Sequence, residues 1–382
     1  MTQNQDKQYS VVGLCAGAGG LDLGFEQAGF RQLQAMDLEP WAIATLKRNR
    51  PHWNIEQADL NEFELSSHSA PDVLLAGVPC QGFSLGGHRN DHDPRNQLYR
   101  HVLRIAKQSK PRVIVIENVL NLRTMRSPET GQPFACQIAA ELERLGYRVV
   151  YDVFKMCQHG VPQTRRRFVF VAFHESMPPG YALPQPDLYT TPIRSHLFDL
   201  AHATDATLTL PNHDPQWGFH SRVHCETGES IAQDAPVIPV RFSRTASDGH
   251  PIRSYDDPFP AIDTATVWGW AQGHVQAERR EKDRQRGQHV RNPKATIKLW
   301  RVSASRLRAF THREYARLQT FPDDWVFCGA NKRDIHKQIG NAVPVEFARR
   351  LGVNIREALM CADLGLPILS EVRSQQLSLF VP

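Results

Sequence analysis

Between about residues 9 and 173, short apolar runs alternate with segments of helical spacing, and this regularity limits the architecture more than any other feature of the chain. The apolar runs read as Ser10–Leu14, Leu33–Met36, Asp72–Leu75, Val113–Ile116, Arg148–Phe154 and Phe168–Phe173. Trp41–Arg50, Gln97–Gln108 and Ala135–Leu145 carry the helical spacing, and Gly146 stands where a helix stop is wanted. Strands alternating with helices predict an α/β fold, a parallel sheet covered by helices.

With 382 residues the chain exceeds what one compact core usually supports, so a smaller companion domain is expected. After His174 the residues Pro, His, Asp and Ser become frequent, and no alternation can be traced until about Ala304. Residues 174–304 therefore read as a separate, irregular domain. Helical spacing returns at Thr311–Gln319 and Val345–Leu359, so 305–382 is expected to rejoin the first domain, 1–173. The basic run Arg279–Lys294 suits a solvated face or a phosphate-binding strip. A net charge of +5 leans only mildly toward an anionic partner. No apolar run approaches the roughly 20 residues that span a bilayer, and Met1–Ser10 is polar, so no membrane partner and a cytoplasmic location are expected. The seven cysteines, at 15, 80, 136, 157, 225, 328 and 361, form no Cys-x-x-Cys pair, which argues against a zinc site and a disulfide framework.

Four places along the first domain could carry chemistry. The turn Cys15-Ala16-Gly17-Ala18-Gly19-Gly20 follows a strand and opens a helix, and Asp37 closes the next strand 20 positions after Gly17, an offset suited to ribose hydroxyls. The turn does not complete G-x-G-x-x-G, which favours an adenosine-bearing ligand without a pyrophosphate. Tight turns and ordinary strand-end carboxylates would look the same. Gly77-Val78-Pro79-Cys80-Gln81-Gly82 puts a cysteine just past a strand on a glycine-bearing loop, at the edge where open α/β sheets bind ligands. A lone cysteine is more often a small buried hydrophobe. Val113–Ile116 delivers Glu117-Asn118-Val119 to the same edge, where a carboxylate could equally cap a helix, and alternation sends Arg165 and Arg167 of Gln163-Thr164-Arg165-Arg166-Arg167 to one side of a strand.

The order of these segments closely resembles the cytosine-C5 DNA methyltransferase family. Pro79-Cys80-Gln81, Glu117-Asn118-Val119, Gln163-x-Arg165-x-Arg167, Arg308-x-x-Thr311-x-Arg313-Glu314-x-Ala316-Arg317-Leu318-Gln319 and Gln338-x-Gly340-Asn341-x-Val343-Pro344 match its motifs, over most of 11–173 and 305–350. The resemblance implies a Rossmann-like domain that uses S-adenosyl-L-methionine, with 174–304 as target-recognition domain and double-stranded DNA as substrate. It makes Cys80 the nucleophile on C6 of cytosine, places Glu117 at N3 and the exocyclic amine, and gives O2 to Arg165, with Arg167 beside them. The turn, with Cys15, Ala16, Gly17, Gly19 and Gly20, would hold the methionine part of the cofactor. Asp37 would take the ribose, Asp59 the adenine amine and Asn341 the region of the methionine tail, while Leu38, Leu60, Pro79 and Ala342 complete the cofactor contacts. The loop from Gly82 to about Arg95 would be a lid. No metal is called for, and a cognate restriction endonuclease is a partner if the enzyme belongs to a restriction-modification system rather than standing alone.

The chain departs from the family pattern at four positions. Gly13 stands where Asp is usual, Cys15 where an aromatic packs on adenine, Asp37 where Glu is usual and Val78 where Pro is common. Two other readings share part of the pattern. A transfer-RNA cytosine-C5 methyltransferase would ordinarily carry a Cys-Phe-Thr tripeptide, of which Ala309-Phe310-Thr311 has only the last two residues. A catalytically silent DNA-binding relative would tolerate Gly13 and Cys15 but has no need of Cys80, Glu117 and Arg165.

Overall fold

The computed structural model describes residues 7–65, 70–79, 97–181, 183–202, 208–216, 224–225, 237–241, 253–262, 267–272, 275–282, 297–304 and 306–368. Cys80 and the expected lid, Gly82–Arg95, lie outside them, as do 283–294 of the basic run. The chain divides into two compact units, one formed by 1–161, 165–189 and 342–382, the other by 162–164 and 190–341.

In the first unit, β1 (Ser10–Leu14), α1 (Gly20–Gln27), β2 (Arg31–Asp37), α2 (Pro40–Asn49), β3 (Ile55–Gln57) and β4 (Val73–Ala76) are followed by α3 (Leu98–Ser109), β5 (Val113–Val119), α4 (Phe134–Arg144), β6 (Tyr147–Lys155) and β7 (Arg166–His174). Seven strands form one sheet in the order β3-β2-β1-β4-β5-β7-β6. Strands β3 to β5 run parallel, but β7 is antiparallel to both β5 and β6, so the expectation of a wholly parallel sheet fails at that edge. The reason is local: only Met156–Arg165 separate β6 from β7, too short for the crossover that parallel neighbours require.

Successive side chains of a strand point to opposite faces, and the sheet accordingly supports two apolar layers. Leu14, Leu74, Ile116 and Phe170 lie in one with Val102 and Ile105 of α3 and Ile138 and Leu142 of α4. Val11, Leu75, Val115 and Val171 lie in the other with Phe25 of α1 and with Phe347, Leu351 and Ile355. The last three come from the helix Val345–Leu364, which returns to this unit from the far end of the sequence.

The second unit holds α5 (Arg194–Ala201), β8 (His224–Cys225), β9 (Val237–Arg241), β10 (Trp268–Gln272), β11 (Gln276–Lys282), β12 (Ile297–Ala304), β13 (Arg306–Ala309), α6 (His312–Leu318) and α7 (Lys332–Asn341); the returning helix is α8. Its strands form two sheets, β13-β10-β9 and β11-β12-β8. Two expectations are corrected here. The region is not irregular: β10, Trp-Gly-Trp-Ala-Gln, is buried at every position and β11, Gln-Ala-Glu-Arg-Arg-Glu-Lys, is polar along its length, so neither shows the alternation that reveals a strand. The boundaries also move, from 174–304 to 162–164 and 190–341, because α6 and α7 belong to this unit and the chain rejoins the first only at Ala342.

Candidate active site

The strand order reverses between β1 and β4, and ligands of open α/β sheets bind at the carboxyl ends of the strands flanking such a reversal. Leu14 and Ala76 end these two strands, and the Gly77 amide donates to the Leu14 carbonyl at 3.1 Å, so the cofactor turn and the approach to Pro79 leave the sheet side by side.

The turn is tightly wound. Cys15, Gly17 and Gly19 have φ of 53°, 56° and 86°, in the left-handed region that glycine enters freely and cysteine only at a cost. The Ala16 amide donates to the Met36 carbonyl and the Gly19 amide to Ala16, both at 2.9 Å. Asp37 fixes the centre, its Oδ2 accepting from the Gly17 amide at 2.7 Å and its Oδ1 from the Glu39 amide at 2.8 Å. Burial nevertheless raises the Asp37 carboxyl above its ordinary range, the two amides opposing. Burial likewise raises the Cys15 thiol, with Asp37 and then Asp59 adding to the effect, which brings all three groups together at one sheet end.

This environment fits a cationic adenosine ligand: two carboxyls, wound backbone and an exposed apolar side chain, Leu38, 59% accessible. The Leu60 side chain, by contrast, is buried in an apolar layer. Pro79 is exposed at the end of the described segment. Asn341 ends α7 in the second unit, whereas Ala342 opens the return to the first.

Parallel pairing of Ala76 with Ile116 makes Glu117 the next residue outward on β5, at the edge where β4 gives way to Gly77. Glu117 is 8% exposed and its Oε1 lies 2.7 Å from Nε of Arg167 on the neighbouring strand β7. Burial raises the Glu117 carboxyl, while the Arg167 guanidinium opposes that rise. Arg166 is exposed and Arg165 is 2% exposed, its carbonyl accepting from the Met156 amide. Arg167 thus meets the Glu117 carboxylate across the β5–β7 pairing.

Several motif residues of the second unit turn out to be buried scaffold. Gln163 donates to the Leu318 carbonyl and to Oε1 of Gln319, and Gln319 donates to the Ile339 carbonyl, so three of the expected motifs join in one chain of hydrogen bonds. Glu314 accepts from Trp270, from both Nη atoms of Arg308 and from the Thr311 amide, while the Thr311 side chain completes a capping box on α6. Thr-x-x-Glu spacing carried the signal for the cap; nothing in the spacing pointed to Trp270. Also unnoticed in the sequence is Asp22, completely buried on α1. Among the described residues no group of His, Cys, Asp or Glu could hold a metal ion, and no helix is long and apolar enough to cross a membrane.

Comparison with known proteins bears directly on this arrangement. The sequence pattern of the C-5 cytosine-specific DNA methylases matches residues 9–357. The Type II methyltransferase M.PspPI of Psychrobacter sp. (strain TA137) is 32% identical over 370 residues, 95% of this chain and 82% of that protein. The Type II methyltransferase M.NgoMIV of Neisseria gonorrhoeae is 29% identical over 353 residues, covering 92% and 98%. Among solved structures, a prophage-encoded E. coli protein described as a DNA modification methyltransferase aligns with a TM-score of 0.63 at 20% identity, over 92% of this chain and 99% of that one, which supports the fold.

Proposed function

Because the chain belongs to the C-5 cytosine-specific DNA methylase family and so transfers methyl from S-adenosyl-L-methionine to C5 of cytosine in DNA, we propose that Cys80 attacks C6 while Glu117 and Arg167 hold the N3–O2 edge of the base. The observation that carries this reading is the buried 2.7 Å pair of Glu117 and Arg167 beside the β4 edge that leads to Cys80. When bound, S-adenosyl-L-methionine supplies an electrophilic methyl group. Gly17 and its neighbours in the turn, Asp37, Asp59 and Leu38 hold the cofactor.

Carbon 5 of cytosine is a weak nucleophile until a thiolate adds to C6. The Cys80 sulfur forms an S–C6 bond, and the electron pair displaced from the C5–C6 bond makes C5 nucleophilic as Glu117 gives a proton to N3. A raised carboxyl pKa suits that task, since a more basic carboxylate holds a proton to deliver. Arg167 keeps the carboxylate in register and presents its remaining N–H donors to O2. After methylation the C5 proton leaves to solvent base, the electrons of the broken C5–H bond re-form the C5–C6 double bond, Cys80 departs as thiolate with the S–C6 pair, and N3 returns its proton to Glu117. The base must leave the duplex for this chemistry, at a cost of a few kcal/mol.

The second unit is the reading head in this proposal. A two-stranded ribbon fits the major groove, and β11 pairs antiparallel with β12 over Gln276–Lys282 and Ile297–Ser303, carrying the start of the basic run. The naming of its relatives as Type II methyltransferases supports a restriction endonuclease partner reading the same sequence, and a cytoplasmic location beside the DNA.

The decisive experiment uses duplex DNA with 5-fluorocytosine at the methylated position. Fluorine cannot leave as a cation, so the wild type is expected to form a denaturant-resistant adduct and Cys80→Ser none. Normal methylation of ordinary DNA without any adduct would overturn attack by Cys80.

A further inference from the structure

Close to the carboxyl end of β1, at Gly13, the structure contains an unusual juxtaposition. A Cβ added to Gly13 would lie 1.8 Å from Oδ1 of Asp22 and 2.7 Å from its Cγ, so the carboxyl of a helix residue fills the volume a strand side chain would occupy. Asp22 is the third residue of α1, immediately after the glycine turn, and is completely buried. Its Oδ1 accepts from Nε2 of Gln32 at 2.8 Å, and the same nitrogen donates to the Gln34 carbonyl at 2.9 Å. Its Oδ2 is buried with no hydrogen-bond partner among the described residues. We propose that Asp22 is a positioning residue for the cofactor turn, forming with Gly13 a coupled pair in which the carboxyl beneath the turn is supplied by α1 instead of by β1.

The turn is thereby held from both ends. Asp37 grips the Gly17 amide from β2, and Asp22 ties the first turn of α1 to β1 and, through Gln32, to β2. Between these anchors lie Gly17, Gly19 and Gly20, whose backbone has no side chains of its own to fix it. Burial and the Asp37 carboxylate raise the Asp22 carboxyl to about 7, with Gln32 and its own backbone amide opposing. A proton on Oδ2 relieves the charge of a group that has no cation beside it among the described residues. Gly13 is also where the chain departs from the family's usual Asp. The departure is a relocation of the carboxyl, not its loss.

The inference rests on the turn being the cofactor site, and the test separates the two. In the full-length protein, S-adenosylhomocysteine affinity is measured by titration calorimetry, and kcat at saturating cofactor is measured on unmethylated genomic DNA. Asp22→Ala is expected to weaken binding about tenfold, the scale of one lost buried polar contact, and to raise KM for cofactor in proportion while kcat stays close to wild type. Gly13→Ala should behave similarly by displacing the carboxyl. The double variant Gly13→Asp with Asp22→Ala, which moves the carboxyl to the strand, should recover most of the affinity. Folded Asp22→Ala with wild-type affinity would overturn the proposal, as would a double variant no better than Asp22→Ala in binding or, if that single variant does not fold, in folding. Asp37→Ala serves as the control. Should it bind normally, the assignment of the turn to cofactor is wrong; should it alone weaken binding, only the role of Asp22 is.

Discussion

The two units bury polar groups for opposite purposes. In the first, apolar layers on both faces of the sheet hold the fold, and the buried carboxyls gather at one end, in Asp37, Glu117 and Asp22. In the second, buried polar side chains tie the elements together: Glu314 binds Trp270, Arg308 and the start of α6, and Arg313 donates to the carbonyls of Pro211, Pro322 and Trp325. A unit with an extensive apolar core can leave charged groups incompletely paired where chemistry wants them. One built on short strands leans on hydrogen bonds between buried side chains to join its elements, each worth about 0.5–1.5 kcal/mol net.

If this contrast is right, equally conservative substitutions should fail in different ways. The largest effect is expected at Glu117. Glu117→Gln keeps the shape but not the proton, and single-turnover methylation should slow about 10²–10⁴-fold with the melting temperature little changed. A large stability loss with proportionate activity loss would return Glu117 to the scaffold and erase the distinction.

Glu314→Ala should do the reverse. It strips a fully buried guanidinium, Arg308, of its carboxylate, a change that typically costs about 3–5 kcal/mol. Chemical denaturation should show the loss, with cofactor affinity retained wherever the protein remains folded. Unchanged stability would show that the apolar contacts of this unit suffice.

The smallest effect concerns pH. Asp22 holds its proton more tightly folded than unfolded, its pKa rising from 3.8 to about 7. Between those values the folded state binds more protons, so this group's contribution is fully favourable below about pH 4 and is lost as pH rises to about 7. Asp22→Asn should therefore gain stability relative to wild type between pH 5 and pH 8. Thermal unfolding of both proteins at the two pH values checks this, and a constant difference would contradict it. His159 pulls the other way: burial lowers it from 6.5 to about 4, so its contribution is present above 6.5 and lost as pH falls. Both proteins share that contribution, which cancels in the difference.

Much of this molecule was legible in one dimension. Buried strands of the first unit write their apolar runs into consecutive residues, and the helices between them repeat on a period the eye can follow, so Ser10–Leu14 appears where it was expected and Val113–Ile116 forms the body of β5. The order of Pro79-Cys80-Gln81, Glu117-Asn118-Val119 and the arginines after Gln163 was likewise enough to name a chemistry, through the resemblance of those motifs to one family. What the sequence could not decide was pairing across space. Alternation put Arg165 and Arg167 on one side, but only the antiparallel register of β5 with β7, which sets Val119 opposite Arg167, brings the second guanidinium to Glu117. The antiparallel edge, the second unit's hydrogen-bonded motifs and the carboxyl of Asp22 filling the space above Gly13 are of the same kind. Each depends on which residues distant in sequence the fold makes neighbours, and a local period carries no record of that.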